Sequence, residues 1–245
     1  MIASITMDIN CDLGEGLPND AALMPYLGSC NIACGGHAGD RESILKTLEL
    51  AKKHQVNAGA HPSYPDTLNF GRKVIPMEKN KLFKSLLEQI QLFADCCKSL
   101  AYPLHHVKSH GALYNQAAKD PETADVLVAV MTNHFPKIPL YCPPGSVLME
   151  RAKNCGLTTI QEAFADRAYR EDLSLVPRDL PGAVLHDPQA ALKQVLDISA
   201  GFVETDTGKR FPIKAQTICI HGDNPSALKI LQAISDYSGH GINKH

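Results

Sequence analysis

The 245-residue sequence predicts a parallel (β/α) barrel, and three observations carry that expectation. Seven short apolar runs alternate with amphipathic stretches, the pattern of strands separated by helices. Such alternation makes a parallel sheet with helices outside it. Seven strands in a chain of this length, with no Pro/Gly/Ser-rich linker, suit one domain over residues 1–245 and a closed or nearly closed barrel.

The elements follow in order. The runs are Ser4–Ile9, Asn31–Cys34, Val56–Ala60, Leu104–Val107, Ile138–Cys142, Thr158–Ala163 and Gln216–Ile220. After the second run, Ile44, Leu45, Leu48 and Ala51 share one helical face; after the third, Leu82, Phe83, Leu86, Leu87, Ile90, Phe93, Ala94 and Cys97 share a longer one. Asp120-Pro121 and Asp187-Pro188 each read as an N-cap followed by proline at the first helical position. The stretch ETDTGKRFPIK, Glu204 to Lys214, lacks helical period and predicts a hairpin before the last strand.

Composition narrows the function. A formal charge of -2 and the absence of Trp leave neither a basic footprint nor a stacking platform for nucleic acid. MIASITMDIN has no basic start with a long apolar stretch, and no run approaches a membrane span, so the expected location is the cytoplasm. The eight cysteines then read as reduced thiols, with Cys34, Cys142 and Cys219 as packing residues in apolar runs.

The residues at the end of each run point to chemistry. Run one ends in Asp8, Asn10, Asp12 and Glu15, and run two in His37 and Asp40. Run three leads to His61, Tyr64 and Asp66, and run four to Lys108, His110, Tyr114 and Asn115. Runs six and seven end in Asp166, Arg167 and Tyr169, and in His221, Asp223 and Asn224. In a parallel barrel these ends share one face, and that face holds the active site. NIACGGHAGD therefore predicts that His37 and Asp40 face a shared pocket. Its His and Asp groups suit either acid–base work or a Zn²⁺ or Mn²⁺ ion, with Asp12, His61 and His110 as candidate ligands. Lys108, Arg72 and Arg167 are candidates to bind an anion. No P-loop, GxGxxG or GxSxG is present, so any use of ATP proceeds without a P-loop of this chain. His54, His105, His106, His134, His186, His240 and His245 read as structural.

The motifs MDINCDLGE, NIACGGHAGD, GAHPSYPD…FGRK, VKSHGALYN, EAFADRAY…LVPRDLPGAVL and ICIHGDNPSAL resemble the LamB/YcsF family, the A component of prokaryotic ATP-dependent 5-oxoprolinase. The likeness runs from Asp8 to about Leu228. It implies a seven-stranded (β/α) barrel related to the glycoside hydrolase/deacetylase superfamily. It also implies cleavage of 5-oxo-L-proline to L-glutamate coupled to ATP hydrolysis, with Mg²⁺ and with partner subunits B and C. By position, the motif residues are Asp8, Asn10, Asp12, Glu15, His37, Asp40, His61, Lys108, His110, Asp166, Arg167, His221 and Asp223. We expect Asp8, Asp12, His37, His61, His110 and His221 to be catalytic. The substrate-binding set is Asn10, Glu15, Asp40, Arg72, Lys108, Asp166, Arg167 and Asp223, with Arg167 or Lys108 on the α-carboxylate. The sequence departs from the family pattern at Gly36, Asn69, Lys73 and Ser109, of which Gly36 predicts a wider pocket wall and Asn69 a positive-φ site. Two alternatives stand beside this reading: a metal-dependent deacetylase-type amide hydrolase and a non-catalytic ligand-binding subunit.

Overall fold

The computed structural model describes residues 7–238; residues 4–6 of the first run, together with His240 and His245, lie outside the described residues. Six strands come first: β1 (Asp8–Leu13), β2 (Ser29–Ala33), β3 (Asn57–His61), β4 (His106–Val107), β5 (Leu140–Cys142) and β6 (Thr159–Phe164). The hairpin β7 (Phe202–Glu204) and β8 (Arg210–Pro212) follows, then β9 (Thr217–His221). The barrel closes in the order β1-β2-β3-β4-β5-β6-β9, every pair parallel. The seven-stranded barrel and the expected hairpin are both present.

The first strand corrects the sequence reading. It runs to Leu13 instead of ending at Ile9, because its ladder with β9 continues through Asp12↔His221. Asp8 therefore stands at the entrance of β1, and Asp12 near its exit.

Period-two alternation sorts the strand residues. Ile9, Cys11 and Leu13 of β1, Cys30 and Ile32 of β2 and Ile218 and Ile220 of β9 are buried in the apolar core. The helices are α1 (Asp20–Leu23), α2 (Arg41–His54), α3 (Lys79–Ser99), α4 (Gly111–Ala117), α5 (Pro121–His134), α6 (Val147–Asn154), α7 (Pro188–Ser199) and α8 (Ala227–Tyr237), and the core also takes the apolar faces of α2, α3, α5, α7 and α8. Burying each such aliphatic side chain contributes roughly 1.5–3 kcal/mol. Asp120 and Asp187 cap α5 and α7 as expected, accepting from the backbone N–H groups of Thr123 and Gln189.

The alternate residues fill the lumen, and most are polar. Branched aliphatic side chains usually fill a barrel of this kind. Here Asn10, Asn31, His106, Lys108, Glu162 and Thr217 do so, all buried. Asn10 Nδ2 donates to Glu162 Oε1 (3.0 Å) and Thr217 Oγ1 (2.7 Å), and Asn31 Nδ2 donates to Asn10 Oδ1 (2.7 Å). His106 Nε2 meets Asn31 Oδ1 at 2.7 Å, and its ring stacks on Tyr141 at 3.9 Å. His106 is structural, as the sequence reading held.

Room for that imidazole comes from Gly59. A Cβ there would fall on the His106 ring. Gly59→Ala should accordingly cost about 1–3 kcal/mol by overpacking and lower Tm by several degrees in a calorimetric melt. An unchanged Tm would contradict this account of the lumen.

Candidate active site

The exits of β1 to β4 build a buried cup. Asp12 is the last inward side chain of β1; Glu15 follows two residues after the strand, past Gly14, which turns the backbone at φ +70°. His37 comes from the loop after β2, His61 is the last residue of β3, and His110 precedes α4 (Gly111–Ala117). All five are at most 8% exposed. His61 Nε2 lies 3.4 Å from Asp12 Oδ2 and 3.0 Å from His110 Nδ1. Glu15 Oε1 lies 3.0 Å from His37 Nε2 and 3.4 Å from His110 Nδ1, and the His37 and His110 rings stack at 3.7 Å. His221 joins from β9, paired in register with Asp12, and its Nδ1 meets Asp166 Oδ1 at 2.8 Å.

Burial sets the protonation of this cup. It pushes His37 down to about 4, and it holds His110 well below the usual imidazole value, with His37 and His61 adding to the effect. Burial pushes Glu15 up to about 7, helped by the neighbouring Asp12 charge. At Asp12 burial acts upward, but His61 and Lys108 outweigh it and hold the carboxyl well below its usual range. Two overlapping groups can hold a metal ion: Asp12, His61 and His110, and Glu15, His37 and His110.

Beneath the cup, Lys108 Nζ sits 2.8 Å from Asp12 Oδ1, 3.0 Å from Glu162 Oε1 and 3.0 Å from Cys219 Sγ. Cys219 is thus a lumen group beside an ammonium as well as a packing residue. Lys108 is 2% exposed with its charge committed to these partners, so it does not serve as the anion anchor. Arg167 does not either. Its Nε and Nη2 donate to the carbonyls of Ala183 (3.2 Å) and Val176 (2.6 Å), which fasten the loop after β6.

Other expected residues fall elsewhere. Asp8 lies four residues before Asp12, roughly 13 Å along the strand. It accepts from Ser29 Oγ and Thr217 Oγ1, both 2.6 Å, at the opposite end of the barrel. Asp40 is exposed and caps α2 in a reciprocal pair with Ser43, so it shares no pocket with His37. Asn10 is spent within the lumen. Gly36 does not widen the wall, because Gln89 Oε1 and Ser63 Oγ already fill the position of a Cβ. Positive φ falls at Phe70 (55°) and Gly71 (62°), one and two residues past Asn69.

The mouth does carry partly exposed cations. Arg72, from the loop after β3, and Arg178, from the loop after β6, both pair with Asp223, Arg178 Nη1 at 3.0 Å. Arg72 Cζ lies 4.9 Å from the centre of the Phe70 ring, which in turn packs edge-on against His37 (5.1 Å) and His110 (5.5 Å). Sequence reasoning missed Arg178, Phe70, Glu162, Asn31 and Cys219. Alternation was the available signal for Asn31 and Cys219, each flanked on its strand by outward apolar residues; Glu162 lies between polar Gln161 and apolar Ala163, which blurs that signal. The mouth loops carry no such period.

A closed barrel with buried imidazoles and carboxylates at its C-terminal mouth defines a (β/α)₇ barrel of the enzymatic kind. The chain belongs to the LamB/YcsF family, whose model matches residues 7–242. It is 39% identical over 244 residues to the A component of the 5-oxoprolinase from Symbiobacterium thermophilum, covering 97% of this chain and 94% of that protein. It also superposes on the crystal structure of the lactam utilization protein from Thermus thermophilus. There the TM-score is 0.88 at 36% identity, covering 96% of this chain and 97% of the other.

The buried ion group yields a stability prediction. Lys108→Met strands Asp12 and Glu162 without a counter-charge, at a cost of about 3–5 kcal/mol, or roughly 6–20 °C in Tm for a chain of this size. Adding Glu162→Gln should recover part of that loss. A single variant that melts like the parent would show the triad to be inessential.

Proposed function

We propose that the chain is the component of an ATP-coupled 5-oxoprolinase in which the lactam of 5-oxo-L-proline is opened to L-glutamate. One observation carries the reading: imidazoles and carboxylates from four consecutive strand exits meet in a buried cup directly under two arginines. The names of the two relatives point the same way. The ring carboxylate binds at the mouth, exchanging with Asp223 for the Arg72 and Arg178 guanidinium groups, whose planar fork suits a carboxylate. The lactam end then points down into the cup.

An unactivated lactam is a poor electrophile, so phosphoryl transfer from ATP to the amide oxygen supplies the driving force. Water adds at C5, the C5–N bond breaks and nitrogen takes a proton, leaving a γ-glutamyl phosphate. A second water releases phosphate and glutamate. Glu15, beside His37, and Asp12, beside His61, are placed to take the proton of water, and a neighbouring imidazole to return one to nitrogen. In this reading partner subunits B and C hold the nucleotide and its Mg²⁺ and cover the mouth; the chain carries no P-loop motif of its own. No helix among the described residues is long and apolar enough to cross a membrane.

The isolated chain should form almost no glutamate from 5-oxoproline, ATP and Mg²⁺, and adding the partner subunits should restore turnover. Strong turnover by the chain alone would remove the partner requirement, and turnover without ATP would favour a deacetylase-type hydrolase. In the assembled enzyme, Asp12→Ala and His61→Ala should each cut the rate by about 10²-fold or more; folded variants with near-parental rates would place the chemistry elsewhere. Arg178→Ala should raise KM about tenfold or more with a smaller change in kcat, since it removes a binding contact. An unchanged KM would exclude Arg178 as the anchor.

A further inference from the structure

The N–H groups that His61 and His110 donate to backbone carbonyls both point away from the gap between the two rings. His61 Nδ1 lies 2.8 Å from the backbone carbonyl of Lys108, which can only accept, so this nitrogen carries a proton and, in the neutral ring, Nε2 carries the lone pair. His110 Nε2 lies 3.0 Å from the carbonyl of Phe70, so the same reasoning leaves the lone pair of His110 on Nδ1. These two lone pairs face each other across 3.0 Å, with Asp12 Oδ2 3.4 Å from the first and Glu15 Oε1 3.4 Å from the second. Lys108 offers no relief, because its ammonium contacts the other oxygen of Asp12. With both rings neutral and both carboxyl groups ionised, acceptors meet acceptors across this gap. A proton on His61 Nε2 would serve one pair and leave the others opposed.

We propose that this gap is a binding site for one divalent transition-metal ion, Zn²⁺ or a chemically similar cation, with Asp12 Oδ2, His61 Nε2 and His110 Nδ1 as its protein ligands. The spacing suits it. A tetrahedral zinc centre with bonds of about 2.0–2.1 Å sets its ligand atoms roughly 3.3–3.4 Å apart, and the separations here are 3.0 and 3.4 Å. The supporting contacts suit it too. Metal-binding imidazoles usually donate their second N–H to a carbonyl or carboxylate, which fixes the tautomer. The charge balance adds a third reason: four buried carboxyl groups, Asp12, Glu15, Glu162 and Asp166, share this interior with the single ammonium of Lys108. Two imidazoles with one carboxylate favour zinc over the oxygen-seeking Mg²⁺ and Ca²⁺.

The site takes one ion and not two. The alternative group of Glu15, His37 and His110 needs the same Nδ1 of His110, since the other nitrogen is held by Phe70. Bound there, the cation polarises a carbonyl or acidifies a water. The site rests on side-chain geometry and goes beyond the lactam reading: with the ion bound, Asp12, His61 and His110 are its ligands, and Glu15 and His37 are left to move protons.

The test is elemental analysis of the full chain, purified without chelator and also after stripping and titration with Zn²⁺, Mn²⁺ and Co²⁺. We expect close to one equivalent per chain, a rise in Tm on adding Zn²⁺ to the stripped protein, and visible Co²⁺ bands of a nitrogen- and oxygen-ligated site. His61→Gln and His110→Gln should each lower zinc affinity by at least tenfold, whereas Asp125→Asn, exposed on the outer helices, should leave it unchanged. Folding of the variants is checked by circular dichroism. Absence of binding by the parent chain overturns the proposal whatever the variants do. So does a stoichiometry of two, or unchanged affinity in folded His61→Gln and His110→Gln chains.

Discussion

The lumen depends on one ammonium. Lys108 reaches from the exit of β4 to Asp12 on β1, Glu162 on β6 and Cys219 on β9, so a single side chain ties together strands from opposite parts of the wall. Burial alone would disfavour its charge, but the two carboxylates outweigh that and hold the group firmly protonated. An ion group this deep is not an efficient source of stability, since desolvation offsets most of the attraction. What it contributes is specificity of position. A one-residue slip of any barrel strand would turn these charges outward into the apolar layer against the helices.

That constraint separates scaffold from site. Below Lys108 the hydrogen bonds of Asn10, Asn31, His106 and Thr217 link strand to strand and leave nothing facing a ligand. Above it, Asp12 turns one oxygen down to the ammonium and the other up to His61. The same carboxylate therefore ends the scaffold and begins the cup. On the proposed reading, changes at Asp12 would act on both folding and chemistry, and changes at His37 or Arg178 mainly on the second.

The barrel was legible in the sequence because strand and helix periods differ, and because caps such as Asp120-Pro121 mark helix starts. The cup was legible too: Asp12, Glu15, His37, His61, His110 and His221 follow strand-like runs, and strand exits in a parallel barrel share a face. The errors came where one residue type serves two ends. Asp8 looked like an exit group because the first run was placed too early, and only the pairing of Asp12 with His221 shows where β1 stops. Asp40 carried the same chemistry as a site carboxylate, but three residues later Ser43 completes a capping pair. Arg167 and Lys108 had the charge for an anion anchor, but nothing local in sequence shows that carbonyls and carboxylates have already claimed them. Loop residues such as Phe70 and Arg178 carry no period at all.

Phe70 shows why the loop after β3 matters more than its sequence suggests. A bulky residue at φ 55° is strained by about 1–3 kcal/mol, and the surrounding contacts hold it there. Asp66 Oδ1 accepts from the backbone and side-chain nitrogens of Asn69, Gly71 N–H donates to the Asp66 carbonyl, and the Gly71 carbonyl accepts from Ala112 at the start of α4. Gly71 is itself confined, since a Cβ there would press on both His110 and His37 at 3.0 Å. The strained peptide aims the Phe70 carbonyl at His110 Nε2 and lays the Phe70 ring against His37 and His110. Arg72, two residues on, covers that ring and reaches Asp223. One short, tightly tied segment thus sets the tautomer of a cup imidazole at one end and holds the mouth cation at the other. Arg72 at the mouth and His110 in the cup are therefore held by one continuous backbone segment.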